Sequence, residues 1–373
     1  MKKIIGTFFL FLIMLILIGG LLFVGWAIYN DMFAGDVVQT IHTDENMVAI
    51  DQGEHTTRVQ KKSIVETISD IFTTEKEVVQ DYSAEGSAGK YFYEQLSNTQ
   101  KVIYNGLQES KDKLMTGTYK IEYGNKFNSV LSQENGSKIL GDDYQTAIEA
   151  FTHDNADLFY VDISKMYLNM ETKKKGFKTT YNVYIAPDEG QSYLAKGFNS
   201  EYDVKIAMQK IEQERDYIKS KLTGNTYKDV KKIHDYLIDN VEYDEKNESI
   251  GTYSIYGALV DKKCVCEGYT RAFKYIADFV GIKCVIMQGT ATNTQGKTEK
   301  HAWNAVKVGG SWYLVDTTWD DPIIVGRGVI LQSTHYKYFL KGTNTFNKDH
   351  ILEKQFTDGG KVFSYPTISV KDY

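Results

Sequence analysis

The sequence predicts helices packed with antiparallel strands in an ectodomain that follows one membrane-spanning helix. Three observations predict it. An apolar run fills Ile4–Ile28. Tyr269, Phe273, Ile276, Ala277 and Val280 recur at helical spacing. Two β-type runs flank Gly309-Gly310, a two-residue hairpin signal.

The apolar run is long enough to span a bilayer core, which needs ~20 apolar residues as helix. It is longer than the roughly 7–15 apolar residues of a cleaved secretory signal, which is the competing reading. Lys2 and Lys3 precede it, and Asp31 and Asp36 follow. The positive-inside bias therefore places the N-terminus in the cytoplasm and the rest of the chain outside. Residues 1–29 are read as cytoplasmic tip and transmembrane helix. Residues 30–88 are read as a polar stalk, with helix around 62–72 and a flexible join at Ser83–Gly89.

A mixed, mainly helical region is expected over 89–202. Tyr91, Leu96, Val102, Ile103, Leu107 and Leu114 approximate an amphipathic helix, and a strand or irregular piece follows over 117–131. Residues 143–151 read as a short helix, and Phe177–Ala186 alternates in the β manner. A catalytic domain is expected over 203–373. It begins with helices over 203–222 and 227–241. Cys266–Val280 follows as a helix stopped by Gly281. Lys283–Ala291, His301–Val308 and Ser311–Thr317 read as strands.

Composition narrows the function. The 373 residues are 42% hydrophobic and 25% charged, a globular composition. The net charge of −6, with no dense basic patch, argues against nucleic acid as ligand. The three cysteines, Cys264, Cys266 and Cys284, are an odd number, so this is not a disulfide scaffold.

If Gly309-Gly310 forms the loop, Val308 faces Ser311 and residue numbers across the ladder sum to 619. His301 then faces Thr318, Trp303 faces Asp316, and His301 and Asp316 become diagonal neighbours ~7 Å apart at the backbone. A carboxylate there fixes the imidazole tautomer and leaves the other ring nitrogen for a thiol. Cys266 opens the helical pattern, and a helix N-terminus favours thiolate. Nucleophile, base and orienter are thus all available. For the oxyanion, the Cys266 backbone N–H is one candidate donor, and the hydroxyl of Tyr243 or Tyr256 is a second.

Cys266-Glu267-Gly268-Tyr269, His301-Ala302-Trp303-Asn304 and Trp312–Asp320 resemble the bacterial transglutaminase-like superfamily. So do His234–Leu237, Val241–Asp244, Tyr338–Leu340 and Asp349-His350. Tyr91–Leu96 and Asp154–Phe159 look like the region before this domain in secreted and membrane-anchored Gram-positive members, and the resemblance runs over roughly 90–366. It implies an α+β, papain-like fold, with Cys266 as nucleophile, His301 as base and Asp316 as its orienter. It also implies acyl transfer or hydrolysis on peptide amides through a thioester, with no cofactor. One departure is Cys264, where members commonly have Gly; it bears on the turn before the nucleophile. The expected partners are a peptide or protein substrate, such as cell-wall or surface peptide, and the membrane through the N-terminal helix.

Three alternatives stand beside this. Cys264, Cys266 and His301 could ligate zinc, without an evident fourth ligand. Cys264 and Cys284 could form a disulfide or be two buried thiols. The domain could also be an inactive binding or scaffold module of the cell envelope.

Overall fold

Ser97 opens the first long helix with a reciprocal cap. Its hydroxyl accepts from the Gln100 N–H, and the Gln100 side chain accepts from the Ser97 N–H. In this computed structural model, which describes residues 37–41, 90–175, 178–321, 335–352, 355–356 and 362–373, the helix so capped is α1 (Asn98–Ser110). The expected stripe is buried at Leu96, Ile103, Leu107 and Leu114. β1 (Val37–Ile41), β2 (Ile121–Gly124), β3 (Tyr167–Lys175) and β4 (Lys178–Ala186) form a sheet in the order β1-β3-β4-β2. Of these, β4 was expected and β3 was not. Val37–Ile41, read from sequence as stalk, pairs along β3 from Thr172 to Leu168. The helix expected over 143–151 is α2 (Gly136–Asp154), which begins after left-handed Asn135. At its end, the Asp154 carboxylate accepts the backbone N–H groups of Phe92 and Tyr93 at 3.0 and 2.9 Å.

α3 (Glu201–Lys219) and α4 (Thr226–Asn240) match the two expected helices. β5 (Glu242–Tyr243) and β6 (Lys263–Cys264) pair in parallel and deliver the chain to α5 (Cys266–Phe279). The second sheet contains β7 (Cys284–Thr292), β8 (Thr298–Val308), β9 (Ser311–Val315) and β10 (His350–Leu352), in the order β10-β7-β8-β9. α5 lies on this sheet. Phe273, Ile276 and Ala277 join Val285, Met287, Trp303 and Ala305 in a continuous core.

Gly309 and Gly310 both have positive φ, as a two-residue hairpin loop requires. Pairing runs from Val308–Ser311 to Asn304–Val315, the register expected. The ladder stops at Val315, so Trp303–Asp316 and His301–Thr318 do not pair within it. Asp316 leaves the sheet because its N–H donates to the Tyr338 carbonyl. Its side chain then caps the short helix Thr317–Asp320.

Cys264 fits because residue 268 lacks a side chain. A Cβ on Gly268 would lie 2.7 Å from the Cys264 sulfur and 3.0 Å from the Thr252 carbonyl oxygen. Gly268→Ala is therefore expected to cost about 1–3 kcal/mol through overpacking. Cys264→Gly in the same chain should restore part of that. A double-mutant cycle by denaturant unfolding checks the coupling.

Among the described residues no helix is long and apolar enough to cross a membrane. The predicted span Ile4–Ile28, the helix near 62–72 and the Ser83–Gly89 join lie outside them.

Candidate active site

Cys266 is the first residue of α5, and its N-cap, Val265, makes no side-chain cap bond. The first-turn N–H groups and the positive end of the helix are thus presented at the sulfur. Cys266 is 9% exposed, and Cys264 and Cys284 are wholly buried; all three are free thiols. Burial pushes the Cys264 and Cys284 thiols well up. Cys264 packs under Gly268, while Cys284 accepts from the Asn304 amide, so the two thiols serve different parts of the core.

The structure brings His301 and Asp316 together. His301 Nε2 donates to Asp316 Oδ2 at 2.7 Å. That leaves Nδ1 for Cys266, whose side chain hydrogen-bonds the ring. Burial pulls the imidazole down, but the charge and hydrogen bond of Asp316, followed by Cys266, raise it to about 10. His301 is therefore an imidazolium at neutral pH. Burial also works against the Asp316 carboxylate, yet His301 and His350 hold it well below the usual range. Asp316 Oδ1 accepts from the N–H groups of Thr318 and Trp319, so both oxygens are fixed.

This pair predicts a pH signature. The stabilisation from His301 is full below its ordinary value of 6.5 and declines as pH rises through about 10. That from Asp316 is full above its ordinary value of 3.8 and declines only as pH falls through its lowered folded value. The difference in unfolding free energy between wild type and His301→Gln should therefore shrink between neutral and alkaline pH. Urea titrations across that range measure it.

The roles of two residues differ from the sequence expectation. His350, quoted only as a motif, donates from Nε2 to the same Asp316 oxygen at 3.1 Å, and its Nδ1 faces Asp349 Oδ1 at 2.8 Å. It packs 4.1 Å from the Phe346 ring and 4.6 Å from that of Trp319. His350→Ala should cost about 2–4 kcal/mol, since it removes a buried ring and unpairs part of Asp316. Denaturant unfolding checks this. Tyr256 stacks on Phe159 at 6.1 Å and meets Phe198 at 5.6 Å. Its charged neighbour is Asp261 rather than Cys266, so it joins an aromatic cluster instead of the site. Tyr243, by contrast, lines a cleft of about 200 Å³ with His301, Thr318 and Trp319. Burial first, and then the charge of Cys266, keep its hydroxyl protonated and able to donate.

A second buried pair braces the first. His234 Nε2 faces Asp320 Oδ2 at 3.0 Å, and Asp320 Oδ1 accepts the Tyr338 N–H at 2.8 Å. The Tyr338 hydroxyl donates to Asp349 at 2.7 Å. The motifs around His234, Tyr338 and Asp349 thus converge on the segment that carries Asp316. The metal-ligand-like cluster among the described residues is His301, Asp316 and His350, with donor atoms within 4.8 Å, rather than Cys264, Cys266 and His301. Hydrogen bonds within that cluster already engage the Asp316 oxygen it would use.

The Transglutaminase-like superfamily matches residues 215–317, narrower than the 90–366 that the motifs indicated. The chain is 28% identical over 146 residues to the kyphoscoliosis peptidase of Mus musculus, and 28% identical over 142 residues to that of Homo sapiens. Each match covers 34% of this chain and 21% of the relative, so the chain spans about a fifth of the length of those curated relatives. A solved TGase shares 13% identity at a TM-score of 0.29, over 48% of this chain and 50% of that one. Residues 215–317, which carry Cys266, His301 and Asp316, are a domain of the Transglutaminase-like superfamily.

Proposed function

We propose that this chain is a membrane-anchored extracellular thiol enzyme that hydrolyses or transfers peptide amides through a thioester on Cys266. The observation that carries the reading is the His301 ring, 2.7 Å from the Asp316 carboxylate and hydrogen-bonded to the Cys266 side chain. The Cys266 sulfur attacks the amide carbonyl carbon, and the positive helix end and backbone N–H of Cys266 stand where the oxyanion forms. Tyr243 is the second candidate donor. As the C–N bond breaks, His301 gives its proton to the departing amine, leaving the thioester. Water or an amine then attacks the thioester while His301 takes its proton, and the C–S bond breaks.

The anchor rests on the apolar run Ile4–Ile28 and its flanking charges. Outside a membrane, cell-wall or surface peptide is the substrate within reach. Support for amide chemistry also comes from the likeness to a peptidase. The test incubates the purified chain with cell-wall fragments and with a Gln/Lys peptide pair, and reads products by mass. Hydrolysed or cross-linked product from wild type, and none from Cys266→Ala, is expected. Equal product from both sinks the reading, and none from either favours a binding module.

A further inference from the structure

A cleft beside the start of α5 is lined by both the N-terminal region and the superfamily domain. Its volume is about 490 Å³, inside the range of ligand pockets, roughly 300–1,000 Å³. Phe159, Asp162 and Lys196 from the N-terminal region and Ile250, Tyr253, Glu267 and Arg271 from the superfamily domain line it. Glu267 directly follows Cys266 on the first turn of α5. The Thr252 carbonyl, in the wall, accepts the N–H of Val265, the residue before Cys266, at 3.0 Å. The cleft therefore lies against the segment that opens α5, one residue from Cys266 on the Glu267 side.

The two walls are held in register. Arg271 Nε donates to Glu267 at 2.7 Å, and its Nη1 donates to the Thr152 carbonyl at 3.1 Å, which ties α5 to the end of α2. Gly197, at φ +97°, sits where a Cβ would lie 2.2 Å from Ile250 Cγ2. Only glycine lets the walls meet there.

The charges in this cleft are unequal. Glu267 is paired with Arg271. Asp162 is paired with Lys165 at 2.9 Å and accepts from Ser164. Lys196 is exposed and belongs to none of the ion pairs among the described residues. The cleft thus offers one unneutralised cation beside apolar and aromatic walls.

We propose that this cleft binds the acyl-donor peptide of the thiol enzyme, with an acidic side chain of that peptide paired to Lys196. The inference deepens the function proposed above and rests on it. It makes the N-terminal region a specificity element that supplies half of the substrate groove.

Full-length chain carrying Cys266→Ala binds without turnover, so binding can be read separately from chemistry. The probes are two pools of capped octapeptides, one with two Glu per peptide and the other with Gln at those positions. Fluorescence anisotropy should show the Glu pool binding at least tenfold tighter than the Gln pool. Adding Lys196→Glu should remove that preference, and adding Ala195→Trp should fill the cleft and weaken both pools at least tenfold. Lys196 is a surface residue, so its variant keeps the test standing if Ala195→Trp does not fold. Equal binding of the two pools, binding untouched by either variant, or no binding of either pool overturns the proposal. Iodoacetamide labelling of Cys266 in the otherwise native Lys196→Glu chain should match wild type. A wild-type chain that binds the Glu pool through Lys196 yet shows no labelling sinks the thiol-enzyme reading and leaves the cleft assignment in place.

Discussion

Cys266→Ala should lower turnover by about a million-fold, the scale at which removing a nucleophile disables a catalytic unit. Its effect on stability should be about 1 kcal/mol or less, because the side chain is small and lies at a helix start. The variant should also lower the folded pKa of His301, which loses a hydrogen bond and a negative neighbour. Cys264→Ala and Cys284→Ala should behave in the opposite way. Those thiols are wholly buried and pushed well up by burial. Their loss should cost about 1–2 kcal/mol through cavities and leave thiol labelling intact. Single-turnover acylation, labelling by a thiol-directed probe and denaturant unfolding separate the two patterns. A Cys266→Ala chain with wild-type turnover would remove the thioester route altogether.

Asp316 should give the second large effect, and in two separable forms. Asp316→Asn keeps the shape and one acceptor but presents an amide to His301, so turnover should drop by roughly a thousand- to ten-thousand-fold. Asp316→Ala removes more. His301 and His350 lose their shared acceptor inside the fold, and Thr318 and Trp319 lose their cap. Unpairing a buried charge costs about 3–5 kcal/mol, and a lost cap adds about 1. Asp316→Asn loses the charge but keeps an acceptor for the cap, so it should fold better than Asp316→Ala and still work poorly. Equal stability of the two variants would mean that Asp316 is not the keystone the geometry makes it.

Periodicity was sufficient wherever one face of an element is buried. The α5 stripe and the β8–β9 register were legible because alternation and two adjacent glycines leave one solution. β3 was not legible because Thr172-Lys173-Lys174-Lys175 is polar at the end of the hairpin, so the alternation fades. The first turns of α2 were hidden by the glycine and polar residues at 136–138. Cys266, His301 and Asp316 could be read because two lie on one hairpin and the third starts a helix. His350 could not be, because a three-residue strand at the sheet edge has no period, and 34 residues separate it from Asp316. The only signal was the Asp349-His350 dipeptide itself. Tyr256 had two readings in the sequence, oxyanion donor and core packing, and it packs on Phe159 and Phe198.

The brace around Asp316 has a consequence in time. Cys266, His301 and Asp316 have all been made by residue 316, yet Tyr338, Asp349 and His350 come from the following three dozen positions. Chains are synthesised at about 5–20 residues per second, so seconds separate the emergence of the nucleophile from that of its last supports. A nascent chain therefore carries the thiol before it carries the ring and carboxylate that hold Asp316 in place. The site is therefore complete only once residue 350 has joined the fold.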